Sequence, residues 1–113
     1  MNIDPALMLA AVGSASGLLK ALGHPLRMMI LCLLVERERA VGELAGRLGA
    51  RDSTISQHLS LLRREGLVAA RRDGQTIWYA IASDPARRVL ETLASIYCAA
   101  PPPAPPPAWS SRP

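Results

Sequence analysis

Residues 52–66 read DSTISQHLSLLRREG, and this stretch decides the predicted fold of the chain. Ile55, Leu59 and Leu62 recur at the spacing i, i+4 and i+7, which predicts an amphipathic helix with one apolar stripe. Gly66 follows the helix and suits the left-handed conformation that ends many helices. The stretch therefore predicts a single helix that packs one face onto a core.

The opposite face of this helix carries short hydroxyls, one amide and an arginine rather than the usual mixture of glutamate and lysine. Its members are Ser53, Ser56, Gln57, Ser60 and Arg64. Such groups hydrogen-bond to base edges and contact phosphates in a DNA major groove. Taken alone, the helix is equally consistent with a base-reading surface and with a solvated, serine-rich surface.

The composition indicates one small, basic and mainly helical domain. The chain has 113 residues, half of them hydrophobic, and no Phe, so its core must consist largely of aliphatic side chains that suit helices. The formal net charge is +4, and twelve of the thirteen basic residues are arginine. A basic, arginine-rich protein favours anionic partners, since the guanidinium group suits phosphate and guanine.

Four further helices are predicted around the central one. The first spans 5–22 and is apolar nearly all round, so a partner subunit is its expected cover. The second, 25–38, is expected to be buried, and the last spans 84–99. The short helix 41–49 and the turn after it give helix-turn-helix spacing with 52–66. The expected N-caps are Asp4, Asp52 and Asp84.

Residues 67–81 predict a β-hairpin. Two strand-like runs, 67–72 and 75–81, flank Asp73-Gly74, a pair typical of tight hairpin turns. A basic hairpin directly after a helix-turn-helix is expected to be a wing that contacts phosphates or a minor groove. The alternative is a solvated hairpin end. The candidate wing contacts are Arg71, Arg72 and Gln75.

The whole pattern predicts a mainly α protein with a β-hairpin wing, namely a winged helix-turn-helix with five helices. Residues 1–100 form the predicted DNA-binding and dimerisation domain, and 101–113 (PPPAPPPAWSSRP) form a predicted disordered, proline-rich tail. Asp4 and the lack of a basic region argue against a signal peptide, and the longest wholly apolar run, 28–35, is too short to span a bilayer. We therefore expect a cytoplasmic protein with no membrane association and with reduced thiols.

With these elements assembled, the chain resembles the ArsR family of small dimeric bacterial winged-helix repressors over about residues 17–98. The matching segments are 19–27 (LKALGHPLR), 41–45 (VGELA), 53–59 (STISQHL), 62–68 (LRREGLV) and 71–75 (RRDGQ). The resemblance implies a homodimer that pairs through its first and last helices. It also implies binding to a palindromic double-stranded operator and release from that operator when an inducer is sensed.

Two metal sites that are common in that family are not supported by this sequence. The third-helix site needs a Cys-x-Cys, where this chain has GELAG at 42–46, and the last-helix site needs His, which 84–99 lacks. Two cysteines without a Cys-x-x-Cys also make a poor zinc site. We therefore expect no bound metal, no cofactor and no catalytic site.

The positions of Cys32 and Cys98 resemble the thiol- and persulfide-sensing (BigR/SqrR-like) branch of the family. That resemblance implies redox sensing, in which a disulfide or polysulfide links the two cysteines after exposure to reactive sulfur species or oxidant. From the residues alone, both are more simply interpreted as ordinary small hydrophobes, although neither lies at the middle of its helix's apolar stripe. The alternative sensor is a soft-metal or metalloid regulator that uses the same two thiols.

Two other functions explain fewer of these features. A thiol-redox enzyme would need its Cys-x-x-Cys motif, and a pure protein-interaction module would leave the wing unexplained. For a DNA-binding regulator, the base-reading candidates are Ser53, Thr54, Ser56, Gln57 and His58, of which Gln57 suits an adenine edge. The candidates for phosphate and wing contacts are Arg51, Arg63, Arg71, Arg72 and Gln75.

Overall fold

The computed structural model describes residues 2–98, and the predicted tail at 101–113 lies outside them. Within the described range the chain forms five helices and three strands. Their order is α1 (Pro5–Leu22), α2 (Pro25–Glu36), β1 (Arg39–Ala40), α3 (Val41–Leu48), α4 (Asp52–Arg64), β2 (Val68–Asp73), β3 (Thr76–Ile81) and α5 (Asp84–Tyr97). The predicted winged helix-turn-helix with five helices is confirmed.

Of the three predicted N-cap residues, the structure confirms one. Asp4 caps α1, where its carboxylate accepts a hydrogen bond from the backbone N–H two residues later. The cap of α5 is Ser83 instead of Asp84, because the Ser83 hydroxyl accepts a backbone N–H at 3.1 Å. At α4, Arg51 occupies the cap position without a side-chain bond, and Asp52 is the first helical residue. The predictions of Asp52 and Asp84 as caps are therefore wrong by one residue, although both carboxylates stay in the first turn, where the helix dipole favours them.

The predicted hairpin is confirmed, with a two-residue loop between its strands. β2 and β3 pair antiparallel, and Asp73 opposite Thr76 leaves Gly74 and Gln75 in the loop. Gly74 has a φ of 64°, a conformation that residues with a Cβ rarely adopt. The hairpin is thus closed at the Gly of the Asp-Gly pair from which it was predicted.

A third strand, β1, was not expected from the sequence. It contains only two residues, Arg39 and Ala40, which pair antiparallel with Tyr79 and Trp78 of β3. β3 is therefore the central strand in the order β1-β3-β2. The strand also explains why α2 ends at Glu36 and not at residue 38: the chain must become extended before it can join the sheet.

The core is aliphatic and lies between the helices. Ile55, Leu59 and Leu62 of α4 are each fully buried, so the predicted apolar stripe is the face that holds α4 in the domain. They join buried residues of α2, α3 and α5 in a single cluster. The other large aliphatic side chains that are fully buried are Ile30, Leu31, Leu34, Leu44 and Leu90.

Most of α1 extends away from this core. Only Ala21 and Leu22 at its end are buried, whereas Leu7 is 69% exposed and Leu9 is 79% exposed. By length and composition alone, this 18-residue helix with a mean hydropathy of 1.5 could also cross a membrane. The sequence prediction considered only uninterrupted apolar runs and so did not single it out. In the structure, α1 is an apolar helix that its own domain leaves largely uncovered.

Candidate nucleic-acid interface and thiol pair

A tight turn joins α3 to α4. α3 ends at Gly49, which has a φ of 62° and donates its N–H to the carbonyl of Ala45. Ala50 donates to the same carbonyl at 3.1 Å. Residues 49–51 therefore reverse the chain within three residues, and α3 and α4 pack against each other. This geometry confirms the predicted helix-turn-helix.

The outer face of α4 is polar and accessible. Ser53, Gln57 and Ser60 are exposed, and Thr54 and Ser56 are half-buried beside them. These side chains are short and present hydroxyl donors and acceptors together with one amide, while the opposite stripe is buried. The structure therefore brings together four of the five predicted base-reading residues on a helix that is fixed from behind.

His58, the fifth of these candidates, has a different environment. Its ring lies 4.7 Å from the ring of His24, centroid to centroid, at the start of α2. His24 caps α2 through Nδ1, which accepts the backbone N–H of Arg27 at 3.4 Å. Burial lowers the pKa of His58, and the charges of His24 and Arg27 lower it further. The structure thus places His58 in the contact between α4 and α2.

Cationic side chains flank the polar face of α4. Arg51 and Arg63 are exposed near the two ends of the helix, and Arg72 and Gln75 are exposed in the wing. β2, which carries Arg72, packs against α4. Within residues 2–98, the ion pairs include neither Arg51, Arg63 nor Arg72. These guanidinium groups are therefore available to an anionic ligand.

Arg71 is the exception among the predicted wing contacts. Its guanidinium donates to both carboxylate oxygens of Glu38, with Nε 3.0 Å from Oε2. The same group lies 5.8 Å from the ring centroid of Trp78, its cross-strand partner on β3. Arg71 is thus held against the domain, although more than half of its side chain is exposed.

A buried arginine joins α2, β1 and α3, and the sequence analysis did not identify it. The Arg39 side chain is only 2% exposed. Its Nε donates to the Leu33 carbonyl at 2.9 Å, Nη2 donates to Glu36 at 2.8 Å, and Nη1 pairs with Glu43. The hydrogen bond from Arg39 is the main reason that the pKa of Glu43 is lowered. The spacing of Glu36 and Glu43, three and four residues from Arg39, was the available sequence signal.

The two cysteines lie on α2 and at the end of α5, two helices that pack against each other. Cys32 is in the middle of α2, and Cys98 is the residue that caps the end of α5. Both are free and accessible. Partial desolvation of its sulfur raises the pKa of Cys32, and the nearby charges of Cys98 and Glu36 raise it further.

The described residues do not assemble a metal centre. Among residues 2–98, no three His, Cys, Asp or Glu side chains are grouped so as to hold a metal ion. The two thiols alone supply fewer ligands than a structural zinc site requires. In the described part of the chain, the chemistry that this pair can perform without further ligands is thiol chemistry.

The sequence is similar to that of known regulators of transcription. The family model described as "Bacterial regulatory protein, arsR family" matches residues 24–70. The transcriptional activator HlyU of Vibrio cholerae is 45% identical over 83 residues, which cover 74% of this chain and 77% of HlyU. The biofilm growth-associated repressor of Agrobacterium fabrum is 46% identical over 82 residues, which cover 73% of this chain and 70% of the repressor. These two relatives are named as regulators of transcription and not as enzymes.

Solved structures with similar sequences share the fold. The transcriptional repressor BigR from Xylella fastidiosa superposes with a TM-score of 0.78 at 37% identity, covering 87% of this chain and 100% of BigR. The homodimeric winged helix-turn-helix DNA-binding domain of Mb0332 from Mycobacterium bovis superposes with a TM-score of 0.70 at 32% identity. This superposition covers 85% of this chain and 89% of the Mb0332 domain.

Proposed function

Because this chain belongs to the arsR family of bacterial regulatory proteins, we propose that it is a cytoplasmic transcriptional repressor that binds palindromic operator DNA as a homodimer. We further propose that it leaves DNA when a disulfide or polysulfide links Cys32 and Cys98. The observation that supports DNA binding is the accessible Ser/Gln face of α4, which a fully buried stripe fixes to the core. Arginines flank this face, and within residues 2–98 the ion pairs do not include Arg51, Arg63 or Arg72.

The proposed DNA contacts divide into base-reading and phosphate-binding groups. α4 enters the major groove, and Gln57 is exposed on its outer face, where its amide can pair with the two polar atoms of an adenine edge. The wing contacts the backbone or the minor groove beside it. The proposed contacts are Arg51, Ser53, Thr54, Ser56, Gln57, His58, Arg63, Arg71, Arg72 and Gln75.

The proposed homodimer follows from uncovered apolar surface on α1 and α5. Leu7 and Leu9 of α1 and Ile96 and Tyr97 of α5 are large hydrophobic side chains that the domain leaves exposed. A second copy can bury both helices, and the related domain from Mycobacterium bovis is itself homodimeric. Since two-fold protein symmetry is mirrored in the DNA, the operator is expected to be palindromic.

The dimer is tested by measuring the oligomeric state of the purified protein. Sedimentation in aqueous buffer without detergent is expected to give a dimer, and Leu9→Glu is expected to shift it toward the monomer because the new charge would have to be buried. Partition of the protein into membranes, rather than a soluble dimer, would indicate that α1 serves as a membrane helix and would contradict the proposal.

The proposed switch requires the two thiols, on the packed helices α2 and α5, to come within bonding reach. Attack of one thiolate on the outer sulfur of a persulfide, RSSH, gives a protein persulfide and releases the thiol RSH. Attack of the second thiolate on the inner sulfur of that protein persulfide forms the disulfide and releases hydrosulfide. With peroxide, a sulfenic acid forms first and condenses with the second thiol, releasing water. The inducers proposed here are therefore reactive sulfur species or oxidants, and the partner released is DNA.

Base reading by Gln57 is tested with Gln57→Ala. The variant is expected to lose about 1–3 kcal/mol of binding to a duplex that the wild-type protein selects from a randomised library, with little loss on unrelated DNA. Ser60→Ala, at another exposed position of α4, is the matched control. Equal losses on selected and unrelated DNA would remove Gln57 from base reading.

The thiol switch is tested with Cys32→Ser and Cys98→Ser. Both variants are expected to bind DNA as the wild type does and to stay bound after treatment with glutathione persulfide or peroxide. Mass spectrometry of the wild type should show a single intramolecular linkage under the same conditions. Normal release from either variant would contradict a two-cysteine switch. A stable arsenite adduct that releases DNA, without release by persulfide, would favour the metalloid sensor instead.

A further inference from the structure

Besides strand pairing and helix packing, a two-pronged ion pair joins the exposed part of the wing to the rest of the domain. Arg71 of β2 donates through Nε and Nη2 to the two carboxylate oxygens of Glu38. Its guanidinium also lies over the Trp78 ring, at 5.8 Å from the centroid. Glu38 thus takes two of the five N–H donors of the guanidinium, on an edge that could otherwise bind a phosphate through two hydrogen bonds.

Glu38 is well placed to hold the wing. It lies between α2 and β1, directly before Arg39, whose buried side chain ties this segment to α2 and α3. The carboxylate of Glu38 therefore projects from a part of the backbone that is itself fixed. The hairpin end, in contrast, is exposed: residues 71–77 are all accessible. An ion pair between them joins the exposed part of the wing to a rigid point.

We propose that Arg71 is a positioning residue, which orients the wing through Glu38 and Trp78, and that Arg72 supplies the phosphate contact of the wing. The inference rests on the proposed DNA binding and changes the role of one residue within it. Arg72 is exposed and, within residues 2–98, belongs to no ion pair. Of the two adjacent arginines, only Arg72 thus has its full set of donors available.

The electrostatics of the pair agree with this assignment. The hydrogen bond from Arg71 is the main cause that lowers the pKa of Glu38, and the reciprocal bond is the main cause that raises the pKa of Arg71. Asp73, at the end of β2, has a carboxylate oxygen 3.9 Å from Nη1 of Arg71, so a second negative charge lies beside the guanidinium. The carboxylate of Glu38 therefore favours the position of Arg71 against the domain, and both carboxylates oppose its transfer to a phosphate.

The test compares Glu38→Gln, Arg71→Gln, their double variant and Arg72→Gln on a duplex selected by the wild-type protein. We expect Glu38→Gln and Arg71→Gln each to weaken binding about two- to fivefold, as suits a half-exposed ion pair, and the double variant to be no worse than either. The slope of log K against log salt should fall by about 0.9 for Arg72→Gln and stay unchanged for Arg71→Gln. Tighter binding by Glu38→Gln, or a reduced slope for Arg71→Gln, would overturn the proposal.

Arg71→Lys separates charge from geometry. Lysine keeps the positive charge but cannot form the two-pronged pair, so we expect it to behave like Arg71→Gln. Retention of wild-type affinity would instead indicate a simple phosphate contact and would overturn the proposal.

A second measurement does not depend on DNA. Hydrogen exchange of residues 68–81 should be faster in Glu38→Gln and Arg71→Gln than in the wild type and in Arg72→Gln. Unchanged exchange would overturn the positioning role even if DNA binding is confirmed. Faster exchange in a protein that selects no duplex would support the positioning role and refute the proposed function.

Discussion

Replacement of Arg39 by Met is expected to destabilise the protein more than replacement of any other ion-paired arginine described above. Met fills much of the space of the arginine stem but removes three donors. Hydrogen bonds to charged groups contribute about 1.5–3 kcal/mol each, and breaking a buried pair costs about 3–5 kcal/mol. The lower end of the range for a buried pair applies here, because water can solvate both carboxylates. The side chain of Glu36 is 66% exposed and that of Glu43 is 29% exposed. We therefore expect a loss of about 3 kcal/mol.

This loss is measured by urea unfolding at one fixed protein concentration, since dimerisation would make the apparent stability depend on concentration. The free energy of unfolding typically falls by about 1–3 kcal/mol per molar urea. A loss of about 3 kcal/mol in that free energy therefore lowers the urea concentration at half-unfolding by about 1–3 M. Arg37→Met is the matched control. Arg37 also contacts Glu43, at 2.9 Å, but its side chain is 54% exposed, so we expect a loss of about 0–1 kcal/mol.

Two results would refute this reasoning about Arg39. The first is a loss below about 1 kcal/mol, which would mean that water satisfies the groups released by the substitution. The second is an equal loss in Arg37→Met, which would mean that burial does not distinguish the two arginines. An altered slope in Arg39→Met alone would indicate a change in the native or the unfolded state rather than in the ion pairs.

Three further predictions concern the core and the titrating groups. Leu59→Ala should lower the free energy of unfolding in urea by about 3 kcal/mol, because Leu59 is fully buried. Ser60→Ala, at an exposed position, should change it by no more than about 0.5 kcal/mol, and equal effects of the two substitutions would contradict the burial of the stripe. Alkylation of Cys32 should accelerate with pH to above pH 9.0, since its pKa is raised. At alkaline pH, where thiols ionise, the reaction should be faster in Cys98→Ser, which removes one cause of the shift, and a slower reaction there would contradict that cause. The folded state lowers the pKa of His58 below 6.5. The contribution of neutral His58 to stability is therefore present above that pH and is lost as the pH falls through the lower, folded-state value. His58→Gln should flatten this part of the pH–stability curve, and an unchanged curve would contradict the lowered pKa of His58.

The sequence predicted those parts of the fold that depend on local periodicity and turn chemistry. The stripe of Ile55, Leu59 and Leu62 defines α4 because a 3.6-residue period brings them to one face, and all three are buried. Gly66 and Gly74 mark two turns for a similar reason: both have a positive φ, which a residue with a Cβ rarely adopts. These features can be recognised without knowledge of what packs against them.

The parts that escaped prediction depend on contacts between separate elements. Arg39 lies in the charged run 36–39 (ERER), which is typical of a solvated segment, yet pairing of β1 with β3 buries its side chain. Arg71 is a residue type that often contacts DNA, but its ion-pair partner Glu38 is 33 residues away in the chain. His58 was predicted to read bases, but its ring lies 4.7 Å from that of His24 at the start of α2. In each case the decisive partner comes from another element.

These inter-element contacts give α2 a particular place in the proposed mechanism. Near its middle, α2 carries Cys32, which would be linked to α5 by the inducer. Its first end is capped by His24, which contacts His58 of the proposed reading helix. Its last turn contains Leu33 and Glu36, both bonded to Arg39 and so connected to β1, α3 and the segment that holds the wing. A displacement of α2 that is too small to unfold the domain would therefore act on both DNA-contacting elements at once, because a rigid helix moves its two ends together. In the proposed switch, this connection would transmit chemistry at the thiol pair to the proposed DNA-contacting elements.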